Sequence, residues 1–127
     1  MPLATTTPIA RTTPGPVLTK AALRAAERLG LTARVLSGVL GLSEATLSRM
    51  KRGDVAFEPE SKPFELAVLF VRLFRSLDAV TGGDEAVARA WMGSMNTALG
   101  STPVERIGTI TGLVDVIAYL DARRSPV

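Results

Sequence analysis

Apolar residues recur along the chain at a helical period of three to four, and glycine or proline punctuates the pattern. Leu23, Ala26 and Leu29 share one face of a first helix, with Thr19 as its predicted N-cap and Gly30 as a left-handed stop. A second short helix is predicted from near Thr32, burying Val35, Leu36, Val39 and Leu40 and turning at Gly41. Ser43 then caps a third, with Leu47 and Met50 inward and Gly53 at its end. Leu66, Phe70, Leu73, Phe74 and Leu77, opposed by Glu65, Arg72, Arg75 and Asp78, predict the longest helix over 64–80. Thr81, Gly82 and Gly83 break it, and Asp84 caps a helix carrying Val87, Trp91 and Met92. Asn96 to Ser101 reads as a loop. Thr102, Pro103 and Glu105 have the spacing of a capping box with an N1 proline, and beyond them Leu113, Val116, Ile117 and Leu120 share a helical face flanked by Tyr119. The β-branched residues between Ile107 and Ile117 leave a strand reading open beside the helical one.

Four of the eight prolines fall before residue 17, so residues 1–16, rich in Thr and Pro, are expected to form an arm. The remaining prolines leave 17–58, 64–102 and 104–125 free for helices, and the fold class expected is all-α. At 127 residues with 46% apolar and 21% charged positions, the chain can bury a core. It has no cysteine and no histidine, which removes disulfides, thiolate nucleophiles, imidazole acid–base chemistry and Cys/His metal sites. Asp78, Asp84, Glu85, Asp115 and Asp121 are scattered, and no phosphate-binding glycine loop is present, so no enzyme, catalytic residue, metal or cofactor is expected. The longest apolar run, Leu66 to Val71, ends at Arg72, far short of the roughly 20 residues of a membrane span. With no signal-like basic and apolar order at the N-terminus, the cytoplasm is the expected compartment.

Charge divides the chain. Residues 1–57 hold eight Lys/Arg against three acids (+5), and residues 58–127 hold seven against nine (−2). The basic half contains two short amphipathic helices joined by Gly41-Leu42 before a Ser cap, the pattern of a helix-turn-helix. With Leu47 and Met50 inward, Glu44, Ala45, Ser48, Arg49 and Arg52 point outward as a major-groove reading surface, where Arg suits guanine and Glu44 could accept from cytosine. Arg34 and the capping Ser43 complete the candidate DNA-binding set, Arg34 as a phosphate contact. An ordinary helical hairpin with solvated Arg and Lys is the competing reading. In the second half Trp91 is expected to pack in the core. Asn96 either closes the preceding helix through loop backbone or meets a partner.

The stretch LRAAERLGLTARVLSGVLGLSEATLSRMKRG, followed by ELAVLFVRLFRSLDAVTGGDEAVARAWMGSMNTALGSTPVERI, resembles the Xre/MbcA/ParS antitoxins over residues 17–124. Leu73 to Asp78, Gly83-Asp84, Trp91, Asn96, Ala98 to Gly100 and Thr102-Pro103 fall in the family's order. Met95, Ser101 and Thr111 depart from it, standing where Pro, Gly and Glu are frequent. The resemblance implies an N-terminal helix-turn-helix bundle packed with a C-terminal helical toxin-binding domain. The divisions expected are an arm at 1–16, an Xre-like DNA-binding domain at 17–57, and a toxin-binding and oligomerisation domain at 58–127. It further implies a type II antitoxin that neutralises a RES-domain, NAD-consuming toxin and represses its own operon at operator DNA. The assembly implied is a homodimer or a higher hetero-oligomer with the toxin. Asn96, Tyr119, Arg123, Arg124 and Val127 are the toxin-binding residues it suggests. A free-standing transcriptional regulator with a helical dimerisation domain is the alternative.

Overall fold

The computed structural model describes residues 14–124, and every regular element among them is helical: α1 (Pro14–Leu29), α2 (Ala33–Leu40), α3 (Glu44–Lys51), α4 (Lys62–Val80), α5 (Glu85–Gly93), α6 (Pro103–Arg106) and α7 (Ile110–Arg124). Thr32, Ser43, Ser61, Asp84 and Thr102 each cap a helix by accepting a backbone N–H from the third residue on. Such a cap satisfies a donor the helix cannot use itself and contributes about 1 kcal/mol. The α2–α3 turn has Gly41 at φ +70, where any other residue type is strained, and the Gly41 and Leu42 N–H groups both reach back to the Ser37 carbonyl.

α4 is the central mast, packing against α1, α2 and α7. Its Phe70, Leu73 and Leu77 are fully buried, each removal from water being worth about 1.5–3 kcal/mol. Around them lie Ala22, Ala25, Ala26 and Leu29 of α1, Leu36 and Leu40 of α2, Leu47 of α3, and Leu113, Val116 and Leu120 of α7.

Several sequence expectations need correction. α1 begins at Pro14, so three of the sixteen residues assigned to an arm are helical; residues 1–13 lie outside the described residues. Proline is compatible with a first helical turn because its missing N–H would be unpaired there anyway. Thr19 is no N-cap. It lies inside α1, buried, its hydroxyl donating to the Gly15 carbonyl (2.7 Å) and accepting the Phe57 N–H (3.0 Å), which straps the segment after α3 onto α1. Trp91 is half-buried at the surface, and Ala88 and Met92 are the residues α5 puts in the core. The predicted capping box at Thr102 is half made, since Thr102 accepts the Glu105 N–H but the Glu105 carboxylate takes the Thr102 hydroxyl in place of its backbone N–H, and the helix it opens is a single turn. The chain then breaks at Ile107 to Thr109 and restarts as α7, because Gly112 lets the new helix cross tightly over the Arg106 carbonyl, where a Cβ would sit 1.7 Å away. The strand alternative for 107–117 does not hold, since residues 110–124 are helical.

Candidate functional site

α3 presents Glu44, Ala45, Ser48 and Arg49 to solvent, as its inward Leu47 and Met50 require, and its C-cap Arg52 is exposed beside them. These side chains differ in how free they are. Ser43 spends its hydroxyl on the cap, accepting the Thr46 N–H and donating to Thr46 Oγ1. Arg52 donates through Nε to Asp54 Oδ2 and through Nη1 to Ser48 Oγ, both at 3.2 Å, so its guanidinium and the Ser48 hydroxyl form one preset unit. Arg49 makes no ion pair or side-chain hydrogen bond among the described residues. Arg34 is exposed on α2, its carbonyl accepting from Ser37 Oγ.

The second half gathers its polar residues around α7. Tyr119 lies 6.1 Å from Trp91 at a 28° interplanar angle, and the Arg123 guanidinium sits 3.8 Å over the Tyr119 ring. This three-tiered stack of indole, phenol and cation runs from α5 across to the end of α7. Arg124 is directed to α4 instead, donating to Ser76 Oγ at 3.0 Å. Ser76, fully buried, donates in turn to Asp121 Oδ1 (2.7 Å), while Arg72 pairs with Asp121 Oδ2 at 2.6 Å. The Ser76 hydroxyl and the Arg72 guanidinium, with the charges of Arg72 and Arg124, hold the Asp121 carboxyl below its usual range. Asn96 closes its own loop: Oδ1 accepts the Ala98 and Leu99 N–H groups, and its backbone bridges to Ser101. Structure thus brings Tyr119 and Arg123 together and separates Arg124 from them. Val127 lies outside the described residues.

Sequence reasoning missed the residues that join the halves. Arg89 of α5 donates to the Glu27 and Arg28 carbonyls at the end of α1, both at 2.9 Å, and pairs with Glu85. Arg28 in turn lies between Asp78 and Glu85, 5.5 Å from the Phe74 ring centroid. Partners some sixty positions apart leave no periodic signal in a single chain. Among the described residues, no group of three or more acidic side chains could hold a metal ion, and no helix is long and apolar enough to cross a membrane.

Comparison with known families gives two matches. Residues 8–72 match the antitoxin Xre-like helix-turn-helix domain, and residues 76–125 match the antitoxin Xre/MbcA/ParS C-terminal toxin-binding domain. No curated protein matches the chain. The matched ranges meet inside α4, the helix on which both the α1–α3 bundle and α7 are packed. A DNA-type helix-turn-helix and a toxin-binding domain thus share one central helix, and the chain belongs to the Xre/MbcA/ParS antitoxins, a non-enzymatic family.

Proposed function

We propose that this antitoxin neutralises a RES-domain, NAD-consuming toxin and represses its own operon. The observation that supports autorepression is the exposed face of α3, where the unengaged Arg49 stands beside the Arg52–Ser48 unit on a helix capped by Ser43. In this reading Arg49 and Arg52 read base edges with Glu44, Ala45 and Ser48, and Arg34 contacts phosphate. Residues 17–57 carry the DNA function, and residues 58–127 carry toxin binding and oligomerisation. Tyr119 and Arg123 meet the toxin as one stacked unit, Asn96 shapes its own loop for contact, and Arg124 and Val127 take part at the end of α7 and beyond. The working assembly is a homodimer or a larger complex with the toxin, in the cytoplasm.

The test is coexpression with the RES-domain toxin encoded beside it, following growth and intracellular NAD. Restored growth and NAD are expected, together with a complex that retards promoter DNA. A toxin whose NAD consumption continues at stoichiometric antitoxin overturns the reading.

A further inference from the structure

Arg28, Arg52, Arg72, Arg89 and Arg106 each pair with a carboxylate, and Arg124 donates to Ser76. Three exposed cations of the α1–α3 bundle do not follow suit. Lys20, Arg24 and Lys51 have no ion pair or side-chain hydrogen bond among the described residues. All three line one trough, made of two adjoining cavities of about 530 and 480 Å³ that share Lys20, Leu23 and Lys51. Lys20 and Arg24 stand one turn apart on α1, where like charges weaken a helix, and Lys51 comes from the last turn of α3. Among the described residues, Glu27 is the one acid lining the larger cavity, and it is beyond ion-pair distance of all three. The acid of the smaller cavity, Asp54, is held by Arg52.

Beneath this rim the trough is apolar. Leu23 and Ala26 of α1, Leu31, Ala33 and Leu36 around the α1–α2 turn, and Met50 of α3 line it, each buried or half-buried. None of the large apolar side chains that are exposed, Val17 and Val68 among them, lies in it. The carbon is recessed and the charge protrudes. A flat protein face would meet the cations and leave the floor uncovered. A phosphodiester backbone would neutralise the cations and leave the apolar walls facing water. A slender hydrocarbon with one anionic head satisfies both, and the cavity sizes are those of small-molecule sites.

We infer that the trough between α1, the start of α2 and the end of α3 binds a small anionic amphiphile. Lys20, Arg24 and Lys51 hold its carboxylate or phosphate head, and Leu23, Ala26 and Leu36 carry its tail. The site depends on neither toxin nor operator, although through Met50 and Lys51 its occupant touches the helix that bears Arg49.

The probes are decanoate and decyl phosphate, which differ in head, decanol, which lacks the charge, and octanoate, which is shorter by two methylenes. Each is titrated below its micelle concentration into the full chain and followed by two-dimensional NMR. Saturable binding of the decyl anions is expected, with amide shifts centred on Leu23, Leu36 and Met50, and the tighter of the two identifies the head. Octanoate should bind about tenfold more weakly than decanoate, since each buried methylene is worth about fourfold. Decanol and the double variant Lys20→Gln/Lys51→Gln should each show a loss of about tenfold. Both positions are exposed and glutamine is a good helix former, so the thermal midpoint of the variant should stay close to wild type. The proposal is overturned if neither anion saturates, if decanol or octanoate binds as tightly as decanoate, if the shifts centre elsewhere, or if the double variant stays within about threefold of wild type. Anions that leave the wild type untouched, with a double variant that loses affinity equally for promoter and random DNA, would make these cations phosphate contacts and also overturn it.

Discussion

The outward faces of α3 and α7 are built on the same geometry and end in opposite chemistry. Both belong to helices with one buried stripe, and both are open to solvent. On α3 an arginine is left unengaged and a second is preset by Asp54 and Ser48, so the face meets solvent with positive charge available for a polyanion. On α7 each carboxylate and guanidinium is engaged by a neighbour, and the other exposed positions are Ile110, Thr111, Val114, Ala118 and Ala122, aliphatic but for one threonine. Composition alone does not separate the two, since α7 holds two acids and two arginines within fifteen residues. The difference lies in where each charge finds its partner.

The largest test of this contrast acts on the elbow that aims α7. Gly112→Ala would place a Cβ 1.7 Å from the Arg106 carbonyl oxygen, so the backbone must part there. Overpacking against backbone has no side-chain rotation to relieve it, and we expect a loss of about 3 kcal/mol or more in urea unfolding. Toxin binding should fail first, because the elbow supports α7, while promoter binding should persist until the whole chain unfolds. Equal loss of both at low denaturant would show that the two faces are not separable.

Arg49→Ala sharpens the other side. Truncating an unengaged base-reading arginine should cost about 1–3 kcal/mol in promoter affinity and relax preference at one base position. Arg52→Ala should cost less, because part of that guanidinium's hydrogen bonding is already spent within the protein. Neither should alter toxin affinity. A uniform loss on all DNA sequences, with the salt slope reduced by about one, would instead make Arg49 a phosphate contact.

The helix-turn-helix was legible because its determinants are local. Thr32, Gly41 and Ser43 act within three or four residues of themselves, and the apolar spacing of Leu36, Leu40, Leu47 and Met50 states which side is inward. The surfaces of the second half were not legible in the same way. Trp91 reads as core from its size, yet its place is set by Tyr119 across a turn and two helices. The break at Ile107 to Thr109 hides behind a sound N-cap at Thr102, since what ends α6 is the close crossing that Gly112 allows, a tertiary event. Thr19 misleads for a related reason: its hydroxyl serves Phe57, thirty-eight residues on, and no cap. Arg123 and Arg124 look alike as neighbours in sequence, but successive helix positions point about 100° apart, and each finds a different partner.

The smallest expected effect concerns how the last turn of α7 is held. Asp121 takes a hydrogen bond from Ser76 and another from Arg72, and its carboxyl is lowered from the ordinary 3.8 first by Ser76 and then by Arg72. A carboxyl depressed in the folded state stabilises it fully above the unfolded value of about 3.9. That contribution disappears as pH falls through the lower folded value, where both states become protonated. Asp121→Asn keeps the shape and removes the charge, so it should melt below wild type at pH 7, and the gap should close as pH falls below 3.8. Because the Asp121 side chain is 32% exposed and Arg72 60%, salt should narrow the gap at pH 7 as well. A gap that is constant across pH and salt would mean that Ser76 and Asp121 hold α7 by hydrogen bonding and fit alone. The Arg72–Asp121 ion pair would then add nothing to how the end of α7 is held on α4.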